Sequence, residues 1–193
     1  MFEYIKAKIV ELTPAYVIVD HNNMGYFIHI SLHTYSGLHN QEDVIIYLHQ
    51  IIKEDAHLLY GFHTREEREV FRQLITVSGI GANIARVMLS SLTPGEVKNA
   101  IVQDDINRLK SVKGIGAKTA QRIVIDLKDK LSLSEKETEI FTPADNTMKE
   151  ESLSALVMLG FQKSTAEKAI DRIIAEEKDI TTESLIKKAL NYL

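Results

Sequence analysis

The chain has 193 residues, 45% of them hydrophobic and 26% charged, with a formal net charge of −4. That composition supplies one or two buried cores of a globular protein. The absence of cysteine excludes a disulfide framework, a thiolate metal site and a cysteine nucleophile, and it is compatible with a reducing cytoplasm. No stretch is apolar for long enough to span a bilayer. The opening segment, Tyr4–Leu12, alternates Lys6 and Lys8 with Ile5, Ala7 and Ile9, which reads as a strand and not as the apolar core of a signal peptide.

Further strands are expected over residues 16–20, 26–30, 44–51 and 57–60, with a turn at His21-Asn22-Asn23-Met24-Gly25. Five short strands within residues 1–63 point to a small barrel, an OB-fold before an SH3-like one. At Thr64 the period becomes helical, opened by a capping box from Thr64 to Glu67. Further helices open at Thr93-Pro94 with Glu96, and at Asp104 before Ile106 and Leu109. Residues 64–131 thus read as a compact all-helical unit. Residues 132–148 lose the periodicity and read as a flexible linker. From 149 to 193 helical spacing returns, with a capping box expected from Ser164 to Glu167, giving a three-helix bundle suited to docking a partner. The fold class expected is therefore a multidomain α+β protein.

One short pattern occurs twice, 35 residues apart: Val77-Ser78-Gly79-Ile80-Gly81 and Val112-Lys113-Gly114-Ile115-Gly116. Glycines on either side of one apolar residue let a tight turn present its N–H groups at a helix start, where the helix dipole favours a phosphate. Ile80 or Ile115 meanwhile anchors the turn in the core. Such a hairpin grips a nucleic-acid backbone without reading bases, and its duplication argues against two unrelated helix-to-helix turns. A dinucleotide loop is excluded, because Ile84 and Thr119 stand where its third glycine belongs. Lys118 and Arg122, four residues apart, share a helix face beside the second turn. The first turn has Asn83 instead of lysine and relies more on its N–H groups and on Arg86. Charge follows the motif: residues 1–63 carry −4, residues 64–131 carry +4 and residues 132–193 carry −4. The positive third is the footprint of a salt-sensitive backbone binder.

Catalysis has little support. The seven histidines lack a metal-ligand spacing and read mostly as surface residues. Glu54 and Asp55, by themselves, read as a solubilising turn pair. The competing enzymatic reading is a helix-hairpin-helix glycosylase or lyase, which needs a base pocket and a lysine or aspartate beyond its hairpin; Asp126 follows Gly116 by ten residues, with no aromatic pocket around it. A third reading is a protein-interaction adaptor built on the C-terminal bundle.

Several segments in this order carry a resemblance: residues 53–62 (KEDAHLLYGF), the two Gly-Ile-Gly hairpins, Lys118-Thr119-Ala120 with Arg122, and residues 155–161 (ALVMLGF). On these the chain resembles, over essentially its full length, the RuvA family of bacterial Holliday-junction-binding subunits. The resemblance implies an N-terminal OB-fold, tandem helix-hairpin-helix motifs, and a mobile, UBA-like three-helix domain. It implies a cytoplasmic homotetramer, with an octamer as a further state, that binds four-way junctions independently of sequence in recombination, DNA repair and the SOS response to DNA damage. The matching backbone contacts are Gly79, Gly81, Asn83, Arg86, Gly114, Gly116, Lys118, Thr119 and Arg122. Glu54 and Asp55 match the family's acidic pin at the crossover, and Leu156, Leu159 and Phe161 match its docking site for RuvB, the hexameric ATPase motor. RuvC resolvase is a further implied partner without assignable residues. The resemblance implies no catalytic residue, metal or cofactor in this chain, the ATPase residing in RuvB. Asn83 departs from the family pattern, which often has a basic residue there.

Overall fold

The computed structural model describes residues 2–138, 145–177 and 180–193. The first five strands are β1 (Tyr4–Leu12), β2 (Tyr16–His21), β3 (Met24–Ile30), β4 (Asp43–Ile52) and β5 (His57–Phe62). They close into a barrel in the order β1-β2-β3-β5-β4, antiparallel except for the β3–β5 pair. Period-two alternation sends Ile5, Ala7, Val17, Val19, Ile28, Ile30, Val44, Ile46 and Leu48 inward. Gly61 sits where the wall is tightest: a Cβ there would lie 2.5 Å from Ile28 Cγ2 and 2.6 Å from Ile46 Cγ2.

Two features differ from the sequence reading. The five-residue turn is in fact a two-residue one: Asn22 (φ 52°) and Asn23 (φ 65°) make the bend, and Met24 and Gly25 already belong to β3. Two successive residues at positive φ match the right-handed twist of a hairpin, and asparagine tolerates that conformation. The second difference is an unforeseen helix, α1 (Leu32–Leu38), between β3 and β4. Ser31 caps it, and it buries Thr34 and Leu38. This helix with the parallel β3–β5 closure is the OB arrangement, and it displaces the SH3-like alternative.

The helices α2 (Arg65–Thr76), α3 (Ala82–Ser91), α4 (Pro94–Val102), α5 (Ile106–Lys110) and α6 (Ala117–Thr138) follow. Their core joins Tyr60 and Phe62 of β5 to Val70, Phe71 and Leu74 of α2 and to Met88 and Leu89 of α3. Residues 1–137 accordingly form one compact unit. Thr93 and Glu96 make the full reciprocal capping box at α4. At α2 only half of the expected box forms: Thr64 accepts from the Glu67 N–H. The Glu67 carboxylate turns inward, where it accepts from the Ser31 and Thr34 hydroxyls and is fully buried. The α5 cap is Asp105, which accepts from the Arg108 N–H; Asp104 instead adopts φ 57° and pairs with Lys128.

The expected linker is helical at both ends, since α6 runs to Thr138 and α7 (Asp145–Met158) begins at Asp145; residues 139–144 lie outside the described residues. Leu131, Leu133, Glu135, Lys136 and Glu137 are all good helix formers, and that propensity carries α6 on where amphipathic spacing fades. The second compact unit, residues 138–193, contains α7, α8 (Lys163–Glu176) and α9 (Thr182–Tyr192) around Leu156, Ala166, Ile170, Ile173, Leu185 and Ala189. The capping box expected from Ser164 to Glu167 does not form: α8 starts one residue earlier than Ser164, after Gln162, which makes no side-chain cap.

Candidate nucleic-acid interface

The two glycine turns are built bond for bond alike. In the first, Gly79 adopts φ +94°, the Ile80 N–H donates to Val77 O at 3.0 Å, and the Ala85 N–H donates to Gly81 O at 3.0 Å. In the second, Gly114 also adopts φ +94°, Ile115 donates to Val112 O at 3.1 Å, and Ala120 donates to Gly116 O at 2.9 Å. Val77, Ile80, Val112 and Ile115 are buried, while all four glycines are exposed. A Cβ at Gly79, Gly81, Gly114 or Gly116 would meet nothing within 4 Å. The N-cap of α3, Gly81, makes no side-chain cap, so the first turn of that helix keeps donors for an incoming oxyanion.

Around these turns the basic side chains divide into two sets. Arg68 and Arg72 pair with Glu3, Lys98 with Glu66, Arg108 with Glu96 and Lys128 with Asp104. Lys110, Lys113 and Lys118 are exposed and have no ion-pair partner among the described residues. All three belong to the second hairpin or the helix before it. Sequence reasoning singled out Lys118 and passed over Lys110 and Lys113, although Lys113 lies inside the repeated pattern. Arg122, also exposed, donates through Nη1 to Ser78 O at 3.3 Å, which ties the helix of one hairpin to the turn of the other. Thr119 is half-buried.

Asn83 is exposed, and its Oδ1 accepts from the Tyr60 hydroxyl at 3.4 Å. Arg86 is half-buried and turned toward the barrel: its Nη1 donates to Ala15 O at 2.8 Å and to Ile30 O at 3.4 Å. A cleft of about 600 Å³ separates the first hairpin from the β4–β5 hairpin, lined on one side by Ile80 and Ile84 and on the other by Ile51, Leu58 and Tyr60. Glu54 and Asp55 lie exposed at the tip of that β-hairpin, whose turn is closed by the Lys53 N–H donating to Ala56 O at 2.8 Å.

The histidines are less exposed than expected: His39 and His57 face solvent, but His21, His29, His33, His49 and His63 are half-buried. Burial lowers the His29 imidazole below its usual range, and the Arg86 charge adds to this. Burial likewise lowers His49, helped by Arg72 and Arg68. Among the described residues no cluster of histidine, aspartate and glutamate is arranged to hold a metal ion.

In the C-terminal unit the three expected docking residues separate. Leu156 is fully buried in the bundle core, Phe161 is half-buried against it, and Leu159 is 61% exposed. Val157 and Met158, the latter 84% exposed, complete an apolar strip at the end of α7 that the sequence reading had only partly marked.

A closed five-stranded barrel fused to two matching Gly-Ile-Gly hairpins, with unpaired lysines beside one of them, defines a tandem helix-hairpin-helix protein built on an OB-fold. Residues 1–61 match the RuvA N terminal domain, residues 71–129 the SAM-like helix-hairpin-helix tandem, and residues 147–193 the RuvA C-terminal domain. The chain is 49% identical to a protein of Christiangramia forsetii, 48% to one of Flavobacterium psychrophilum and 45% to one of Bacteroides fragilis, each match covering the whole of both chains. Each of those relatives is named Holliday junction branch migration complex subunit RuvA. The chain belongs to the RuvA family.

Proposed function

We propose that this chain is a non-catalytic scaffold that binds four-way DNA junctions, as a homotetramer holding the junction open, and recruits a RuvB-type ATPase for branch migration in recombinational repair in the cytoplasm. The observation that carries this reading is the pair of hairpins alike in backbone conformation and hydrogen bonding, open to solvent at their glycines, within one compact unit that also bears the acidic β4–β5 turn. The N–H groups at Gly79–Gly81 and Gly114–Gly116, with Asn83, Lys118, Thr119 and Arg122, contact phosphates. Phosphate contacts fix position without sequence preference, which suits a protein that must act wherever a crossover lies. Glu54 and Asp55 from each subunit face the crossover, where like charge repels the backbone and helps part the strands. The name shared by the full-length relatives supports the same reading.

The glycosylase alternative is not favoured: Asp126 stands exposed on α6, a setting that gives a flipped base nothing to stack against. Docking of the motor falls to the strip Val157, Met158, Leu159 and Phe161, with Leu156 holding the α7 end in place from the core. The test is branch migration of a mobile junction by the chain with RuvB and ATP. Leu159→Asp, at an exposed position, is expected to bind junction normally and to abolish motor-driven migration; an undiminished rate would remove the strip from the docking surface.

A further inference from the structure

We infer that Arg86 is a positioning residue, a strut that holds the first hairpin in register with the acidic turn of the barrel, and not a phosphate contact. The inference rests on the reading of the hairpins as phosphate clamps and refines how one of them is aimed. Its starting point is the repeat itself. With an offset of 35 residues, Gly79 aligns with Gly114, Asn83 with Lys118, and Arg86 with Gln121; Arg122 aligns with Val87. The two arginines are therefore one position apart, and one position is about 100° of rotation on an α-helix. Arg122 lies exposed on its helix, whereas Arg86 is turned against the barrel.

What Arg86 meets there accounts for its charge. Nη1 donates to Ala15 O, which also accepts from the Ile30 N–H, and to Ile30 O at the end of β3. Nε is buried, and the guanidinium lies near enough to His29 and Tyr60 for its charge to act on both. One turn further along α3, Ser90 Oγ accepts from the N–H of Leu32, the first residue of α1, at 3.0 Å, so positions 86 and 90 form a single face tied to the end of β3 and the helix that follows it. A charged donor with two carbonyl acceptors gives a stronger and more directional tie than a neutral pair. The N-terminal turn of α3 is the first clamp, and the barrel carries Glu54 and Asp55, so this face sets the spacing between clamp and pin. A duplex needs only the clamp. A four-way junction needs the clamp and the pin in register.

The experiment is a binding titration of the full chain and its Arg86→Gln and Arg86→Lys variants on a synthetic four-way junction and a linear duplex of matched length, at a series of salt concentrations. For Arg86→Gln the slope of log K against log salt on duplex is expected to stay as in the wild type, while the junction-to-duplex affinity ratio falls by about tenfold, the scale of one lost charge-assisted hydrogen bond. Arg86→Lys keeps the charge but loses the planar fork, and is expected to lose the ratio as well. A slope shallower by about 0.9 per subunit in Arg86→Gln, with the ratio intact and Arg86→Lys equal to wild type, would make Arg86 a phosphate contact and overturn the inference. Should Arg86→Gln not fold, Arg86→Lys and Ser90→Ala carry the test, and a wild-type ratio in both overturns it. A wild-type chain that binds both DNAs equally would instead overturn the clamp reading on which the inference stands.

Discussion

A methyl group added at Gly79 or Gly114 has free space around it, so the backbone alone restricts these positions: both hold φ +94°, which L-residues adopt only at a cost. Gly79→Ala and Gly114→Ala are each expected to lose about 1–2 kcal/mol of stability, read by chemical denaturation. Gly81 is different, since it holds φ −87° with nothing within 4 Å of a Cβ. Gly81→Ala is expected to stay within about 0.5 kcal/mol of wild type in stability and yet weaken DNA binding, because its methyl group stands between the α3 amides and a phosphate. His29 and His49 give a pH dependence. Their folded forms titrate below the roughly 6.5 of an unfolded histidine, so the unfolded chain takes up protons first as pH falls. Their contribution is complete above about 6.5 and is lost as pH falls through the folded values. Melting is expected to occur at lower temperature near pH 5.5 than near pH 7.5, with a smaller difference in His49→Gln. Glu3, held low by Arg68, and Glu96, held low by the Thr93 cap, act in a separate window below about 4.3. At this scale the positive φ of Gly79 and Gly114 and the exposure of Lys118 were legible in the sequence because both are set locally. The orientation of Arg86 was not, since its partners Ala15 and Ile30 lie 71 and 56 residues away.

Strands with one buried face declare themselves by alternation, and β1 was legible to the residue for that reason. Helix α1 was not: seven residues make two turns, too few for a periodic signal, and its main determinants are the Ser31 cap and a carboxylate 36 residues away. The same long-range contact explains why the capping box at α2 formed only by half. Glu67 serves the α1–α2 junction, and Glu67→Ala leaves the Ser31 and Thr34 hydroxyls without their acceptor in a buried site. The expected loss is about 1–3 kcal/mol in thermal or chemical unfolding. Glu67→Gln, which keeps an acceptor, is expected to lose less. Within the span 132–148 the helices α6 and α7 extend over residues 132–138 and 145–148, because fading amphipathicity does not end a helix whose residues still favour one.

For the molecule as a whole, a net charge of −4 says little about binding, because Lys110, Lys113 and Lys118, exposed and without an ion-pair partner among the described residues, lie in the second hairpin or just before it. Phosphate neutralisation there is expected to make affinity fall steeply with salt, by about 0.9 in log–log slope for each contact. The central claim is that two backbone clamps in one unit with an acidic turn recognise junction geometry. Its most direct test is a titration of the purified chain against a four-way junction and a linear duplex of matched length at two salt concentrations. The expected result is a strong, salt-sensitive preference for the junction, with discrete bands for one and then two assemblies. Equal binding to both DNAs, or binding insensitive to salt, would contradict it.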